Sequence, residues 1–129
     1  DRWAGSPCAS RSRGQWSPGS WRARRSRRPS GAIERLHAAG FRTTVDVLGE
    51  SVSAPGAARA AADAYLAVLD ALAARGLDRN VSLKLTQMGL RIGPALAREN
   101  VARVVERAVA HGAVVRIDME DHPTTDATL

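Results

Sequence analysis

Residues 81–86, Val-Ser-Leu-Lys-Leu-Thr, alternate at the two-residue period of a β-strand, with Val81, Leu83 and Leu85 on one face and Ser82, Lys84 and Thr86 on the other. On both sides of this stretch the period becomes helical. Upstream, Ser53 and Pro55 open an alanine-rich segment in which Ala61, Tyr65, Val68, Leu69 and Leu72 recur at helical spacing until Gly76. Downstream, Gly93-Pro94 opens a second helix through Leu96, Val101, Val104, Val105 and Ala108, closed by His111 and Gly112. Two more strands frame the helices. Thr43–Leu48 sets Val45 and Val47 against Thr44, Asp46 and Leu48, and Val114–Glu120 sets Val115, Ile117 and Met119 against Arg116, Asp118 and Glu120. A short helix carrying Ile33 and Leu36, capped by Ser30 and stopped at Gly40, precedes the first strand.

Strands alternating with helices of this length imply right-handed βαβ crossovers and a parallel sheet. The strand faces narrow the choice. One face of each strand is apolar and suits packing beneath helices, while the other carries Asp46, Lys84, Arg116, Asp118 and Glu120. A doubly wound sheet is covered on both faces and its central strands tend to be apolar throughout. A barrel instead has an interior whose C-terminal mouth holds charged groups around a ligand. The predicted class is therefore α/β, a partial (βα)8 TIM-type barrel of three strands and two to three helices. A complete barrel needs about 250 residues, and the chain has 129. Neither G-x-G-x-x-G after a strand nor a P-loop is present.

The net charge of +6 belongs to one end. Residues 1–32 hold eight arginines against Asp1, a balance of +7, whereas residues 33–129 hold 11 basic and 12 acidic side chains, a balance of −1. Residues 1–30 also contain seven serines and all three tryptophans but no leucine, isoleucine or valine, so they cannot build a core. The reading is a disordered basic tail over 1–32, with an out-of-frame, non-native segment as another origin for this composition. A single cysteine, Cys8, makes no internal disulfide, which fits a reducing compartment. No secretory h-region follows the early arginines, and no uncharged apolar run approaches the roughly 18 residues of a membrane span.

Chemistry is expected where the charged strand faces end. Adjacent parallel strands lie about 4.8 Å apart, so Lys84 and Asp118 at similar heights are within pairing reach. Such a pair would lower the carboxyl pKa of Asp118. Glu50 follows the first strand in the turn Leu48-Gly49-Glu50. An internal salt bridge without a catalytic part is the plain structural alternative.

The segments Val45-Asp-Val-Leu-Gly-Glu50, Val81-Ser-Leu-Lys-Leu-Thr-Gln-Met-Gly-Leu90 and Val115-Arg-Ile-Asp-Met-Glu-Asp121, with Thr125-Asp-Ala-Thr-Leu129 after them, resemble bacterial proline dehydrogenase in order and spacing over residues 33–129. The resemblance implies a (βα)8 flavoenzyme of proline catabolism that holds FAD, oxidises L-proline to Δ1-pyrroline-5-carboxylate and passes electrons to a quinone. It assigns Lys84 to the substrate carboxylate, Asp118 to the active site and Met119 to the flavin through its backbone. Glu50 corresponds to the family glutamate that gates the pocket by pairing with an arginine of the last barrel helix, and Asp46 and Arg116 buttress the cluster. A cytoplasmic enzyme, peripheral at the inner membrane where its quinone resides, is implied as well. No nucleic-acid partner is.

Strands four to eight, the flavin-contacting segments that follow them and the arginine pair of the final helix do not occur in this sequence, which starts at Asp1 rather than methionine. Truncation at both ends, exposed edges on strands one and three, and an inactive isolated chain are therefore expected. Two other classes of function compete. A metal-dependent barrel hydrolase would use Asp118, Glu120, Asp121 and His122, although no His-x-His or His-Glu-x-x-His accompanies them. Nucleic-acid binding would use Arg22, Arg24, Arg25, Arg27 and Arg28 with Trp16 and Trp21. His37 and His111 fit helix C-terminal caps, the Tyr65, Leu69, Leu72 stripe fits core, and Gln87 and Met88 fall in the loop beside the site.

Overall fold

The computed structural model describes residues 29–49, 52–120 and 122–129. The tail expectation for residues 1–28, and the nucleic-acid reading built on it, lie outside these residues. In chain order the elements are α1 (Pro29–Ala38), β1 (Val45–Asp46), α2 (Pro55–Ala74), β2 (Asn80–Lys84), α3 (Pro94–Ala110), β3 (Val114–Asp118), a 3-10 turn (His122–Thr124) and α4 (Thr125–Thr128). The start of α1 at Pro29 takes in residues that composition grouped with the tail and puts Ser30 inside the first turn rather than at the cap.

The three strands form one parallel sheet in the order β1-β2-β3. Both long helices begin at a proline, whose missing N–H costs nothing at a position with no intrahelical acceptor. Both end alike. Gly76 and Gly112 adopt positive φ of 64° and 61°, and the following N–H reaches back to close the helix: Leu77 to the Leu72 carbonyl and Ala113 to that of Ala108. Each helix is thereby turned into its strand within a few residues.

The core lies between one face of the sheet and the helices. Val81 and Leu83 of β2, Tyr65, Leu69 and Leu72 of α2, and Val104 and Ala108 of α3 are all buried in it. Helices α2 and α3 lie side by side over this face, joined by Arg103 to Asp63 and by Arg107 and His111 to Asp70. The one-sided cover expected of the apolar face is thus present over β2. Over β3 it is thinner: Ile117 is 49% and Met119 51% exposed, because α4 has only four residues and no described helix covers that strand's outer face.

All three strands are shorter than their alternation predicts. Strand β2 ends at Lys84 because the Lys84 carbonyl accepts from the N–H groups of both Gln87 and Met88, which coils Leu85 and Thr86 into a turn. Strand β3 stops at Asp118, the last residue with a β2 partner. Strand β1 keeps two residues of the six expected, and the cause lies in side chains of other elements.

Candidate active site

Register supplies the first fact of the site. Lys84 is paired with Asp118 and Ser82 with Arg116, so alternation places Ser82, Lys84, Arg116 and Asp118 on one face, opposite the helices. Lys84 and Asp118 are the last paired residues of their strands, at the C-terminal edge of the sheet.

The expected ion pair between them does not close. Ser82 Oγ donates to Asp118 Oδ1 at 2.6 Å, and among the described residues Lys84 has no ion-pair partner. A serine hydroxyl fixed one pleat away reaches the carboxylate with little loss of side-chain freedom. A lysine has to immobilise a four-carbon stem to do so, at a larger entropic cost. Asp118 is thus oriented by β2, and Lys84 stays without an ion-pair partner among the described residues.

One step further along, the turn after β2 binds the end of β3. Thr86 N–H donates to Glu120 Oε2 at 3.1 Å and Thr86 Oγ1 to Glu120 Oε1 at 2.7 Å. Asn100 of α3, fully buried, anchors the same turn by donating from Nδ2 to the Met88 carbonyl at 2.9 Å. Met88 is itself a core side chain, and Gln87 is buried with its carboxamide turned to the Val47 carbonyl, so both loop residues are structural rather than open to a ligand.

The remaining predicted residues divide as follows. Glu50 lies outside the described residues, as does Asp121. Met119 is one residue beyond the last β3 pairing, half exposed at the rim. Asp46 faces the Tyr65 hydroxyl, its Oδ1 at 3.1 Å, whereas Arg116 is exposed and pairs with no side chain among the described residues. Of the hydrolase ligand set, Asp118 and Glu120 are already engaged by hydroxyls of Ser82 and Thr86, and His122 is exposed. Among the described residues no three His, Cys, Asp or Glu side chains converge. A cleft of about 230 Å³ does exist, lined in part by Arg42, Thr43, Asp78, Asn80 and Val114, but it opens at the other end of the sheet. Asn80 and Val114 begin the strands that Lys84 and Asp118 finish.

Two residues of the site neighbourhood escaped the sequence reading. Ser82 counted only as a polar-face residue, and Tyr65 only as core. Tyr65 is fully buried, but its hydroxyl touches β1, β2 and the following turn. Burial pushes its phenol pKa well above the usual value, and the charges of Asp46 and Asp118 add to the effect, so the hydroxyl stays protonated.

The profile of the family described as proline dehydrogenase matches residues 30–129. Proline dehydrogenase 2 of Bacillus subtilis (strain 168) is 36% identical over 97 residues, covering 75% of this chain and 32% of the relative. Proline dehydrogenase of Deinococcus radiodurans is 32% identical over 101 residues, 76% of this chain and 33% of the relative. Proline dehydrogenase 1 of Bacillus subtilis (strain 168) is 32% identical over 97 residues, 75% and 32% respectively. The chain spans about a third of the length of the curated relatives it matches.

Proposed function

The chain belongs to the proline dehydrogenase family, and from that premise we propose that its sheet is part of a (βα)8 TIM-type barrel that oxidises L-proline to Δ1-pyrroline-5-carboxylate. FAD takes the electrons and a quinone receives them. The observation that carries this reading is a lysine without an ion-pair partner among the described residues, paired in register with a hydrogen-bonded aspartate at the C-terminal ends of β2 and β3. That is the edge at which barrel enzymes build their sites.

Lys84 binds the substrate carboxylate. Its ammonium is not committed to Asp118, so an incoming anion has no internal salt bridge to break. Asp118, fixed by Ser82, presents a negative charge of set direction beside the lysine and positions the ring nitrogen side of the substrate. Glu50 corresponds to the family glutamate that gates the pocket. Holding the carboxylate fixes the direction of the reacting C–H bond, and orientation of this kind lowers a barrier by several kcal/mol. When bound, FAD would supply the two-electron acceptor for this oxidation.

The residues present suit one flank of such a cofactor. Met119, one residue beyond the last β3 pairing and half exposed at the rim, would meet such a cofactor through its backbone, while its side chain and that of Ile117 lie on the outer face. Residues 1–129 by themselves carry one flank only and are inactive in this reading. No helix of the described residues is long and apolar enough to cross a membrane. In this reading the family's contact with its quinone is peripheral at the inner membrane.

The test is dye reduction dependent on L-proline, with the flavin spectrum recorded alongside. Lys84→Met raises the KM for L-proline roughly 10- to 100-fold, the worth of a hydrogen bond to a charged group, and leaves the flavin spectrum unchanged. No turnover of L-proline by the native protein, or an unaltered KM in the variant, refutes the reading.

A further inference from the structure

The pairs Val45 with Val81 and Asp46 with Ser82 are the whole β1–β2 ladder, and the structure shows what stops it. The Val47 N–H donates to Tyr65 Oη at 3.4 Å, and the Tyr65 hydroxyl donates to the Ser82 carbonyl at 2.7 Å. The hydroxyl thus links the backbones of the two strands where their pairing ends. Asp46 Oδ1 at 3.1 Å and Gln87 Oε1 at 3.3 Å also approach that oxygen, but it has one proton, and the Ser82 carbonyl is nearest. The Val47 carbonyl is taken by Gln87 Nε2 at 2.8 Å. Both backbone polar groups of Val47 therefore end on side chains of α2 and of the turn after β2.

Gly49 belongs to the same device. Its φ is not among the positive ones, so backbone freedom is not what requires glycine there. A Cβ at this position would stand 2.8 Å from Gln87 Nε2. Any larger residue has to drive the carboxamide off the Val47 carbonyl. Gln87 and Tyr65 are 3% and 0% exposed, so neither has room to yield.

We infer that Tyr65 and Gln87 are positioning residues that hold the chain after β1 in place beyond Asp46 and so set where Leu48 and Gly49 stand relative to the end of β2. This rests on the proline dehydrogenase reading, in which Lys84 at the end of β2 holds the substrate carboxylate. The hydroxyl acts as the link between the two backbones and the carboxamide as the clamp that keeps the chain against it. Neither group touches substrate.

The experiment compares Tyr65→Phe, Gln87→Ala, Gly49→Ala and the double variant G49A/Q87A in the native protein that carries residues 29–129. Each single variant raises the KM for L-proline roughly five- to tenfold while kcat stays within about threefold, the pattern of lost binding rather than lost chemistry. In the Gln87→Ala background, Gly49→Ala adds nothing, because the group its methyl displaces is gone. The urea midpoint obeys the same cycle without any substrate: Gly49→Ala lowers it in the wild type and leaves it unchanged in Q87A. Independent shifts of the midpoint overturn the clamp, and coupled midpoints with an unaltered KM overturn the positioning role. If the native protein fails to oxidise L-proline, the functional reading falls, and the midpoint cycle still decides whether the clamp exists.

Discussion

Gly89→Ala tests how the turn that follows Lys84 is held. Gly89 has φ of 101°, and a Cβ there would stand 2.9 Å from Leu96 Cδ2 and 3.2 Å from Ala58 Cβ. Ala58 lies in the first turn of α2 and Leu96 in the first turn of α3, so the chain passes Gly89 through a gap between two helix starts. An alanine incurs about 1–3 kcal/mol for a backbone conformation that L-residues avoid. Overpacking adds about 1–3 kcal/mol. Leu96 is only partly buried and its end can rotate, whereas Ala58 is fully buried and fixed on the helix, so relief is partial. The expected loss is roughly 2–4 kcal/mol, a large fraction of a small domain's stability. Urea denaturation followed by circular dichroism measures it. In a Leu96→Ala background the closest contact is gone and the additional loss should fall to about 1–2 kcal/mol, the conformational part. A loss below about 1 kcal/mol in the wild type, or an undiminished one beside Leu96→Ala, would refute the packing account.

The other expectations concern polar groups. Asp70 is held below the usual carboxylate range, first by its hydrogen bond to His111 and then by Arg107. A depressed folded-state pKa stabilises above the unfolded value and is lost as pH falls through the folded one. Melting temperature should therefore drop on acidification below about pH 4, and Asp70→Asn should flatten that acid limb; an unchanged limb counts against it. Asn100→Ala removes the donor to the Met88 carbonyl, and leaving that buried oxygen unpaired should cost about 1–3 kcal/mol in urea titration. Ser82→Ala frees Asp118 from its hydroxyl donor; it should cost about 1–2 kcal/mol of stability, and a structure of the variant should show Lys84 Nζ moving toward Asp118.

Amino-acid order alone specified the elements. Alternation at Val81–Leu83 and helical spacing from Ala61 to Leu72 are local periods, while Pro55, Gly76, Pro94 and Gly112 start and stop helices by backbone chemistry that needs no distant partner. The order also assigned Lys84 and Asp118 to one face, because strand alternation has a fixed period of two. Strand length and the partners of polar groups were decided by the tertiary structure. Val47 continues the alternation of Val45, yet it lies beyond the last β1 pair and its N–H reaches a hydroxyl 18 residues away. Asp118 takes Ser82 rather than Lys84 although both are within reach. A hydrogen bond goes to whichever donor packing holds in place at the smallest entropic cost, and that depends on neighbours far apart in the chain.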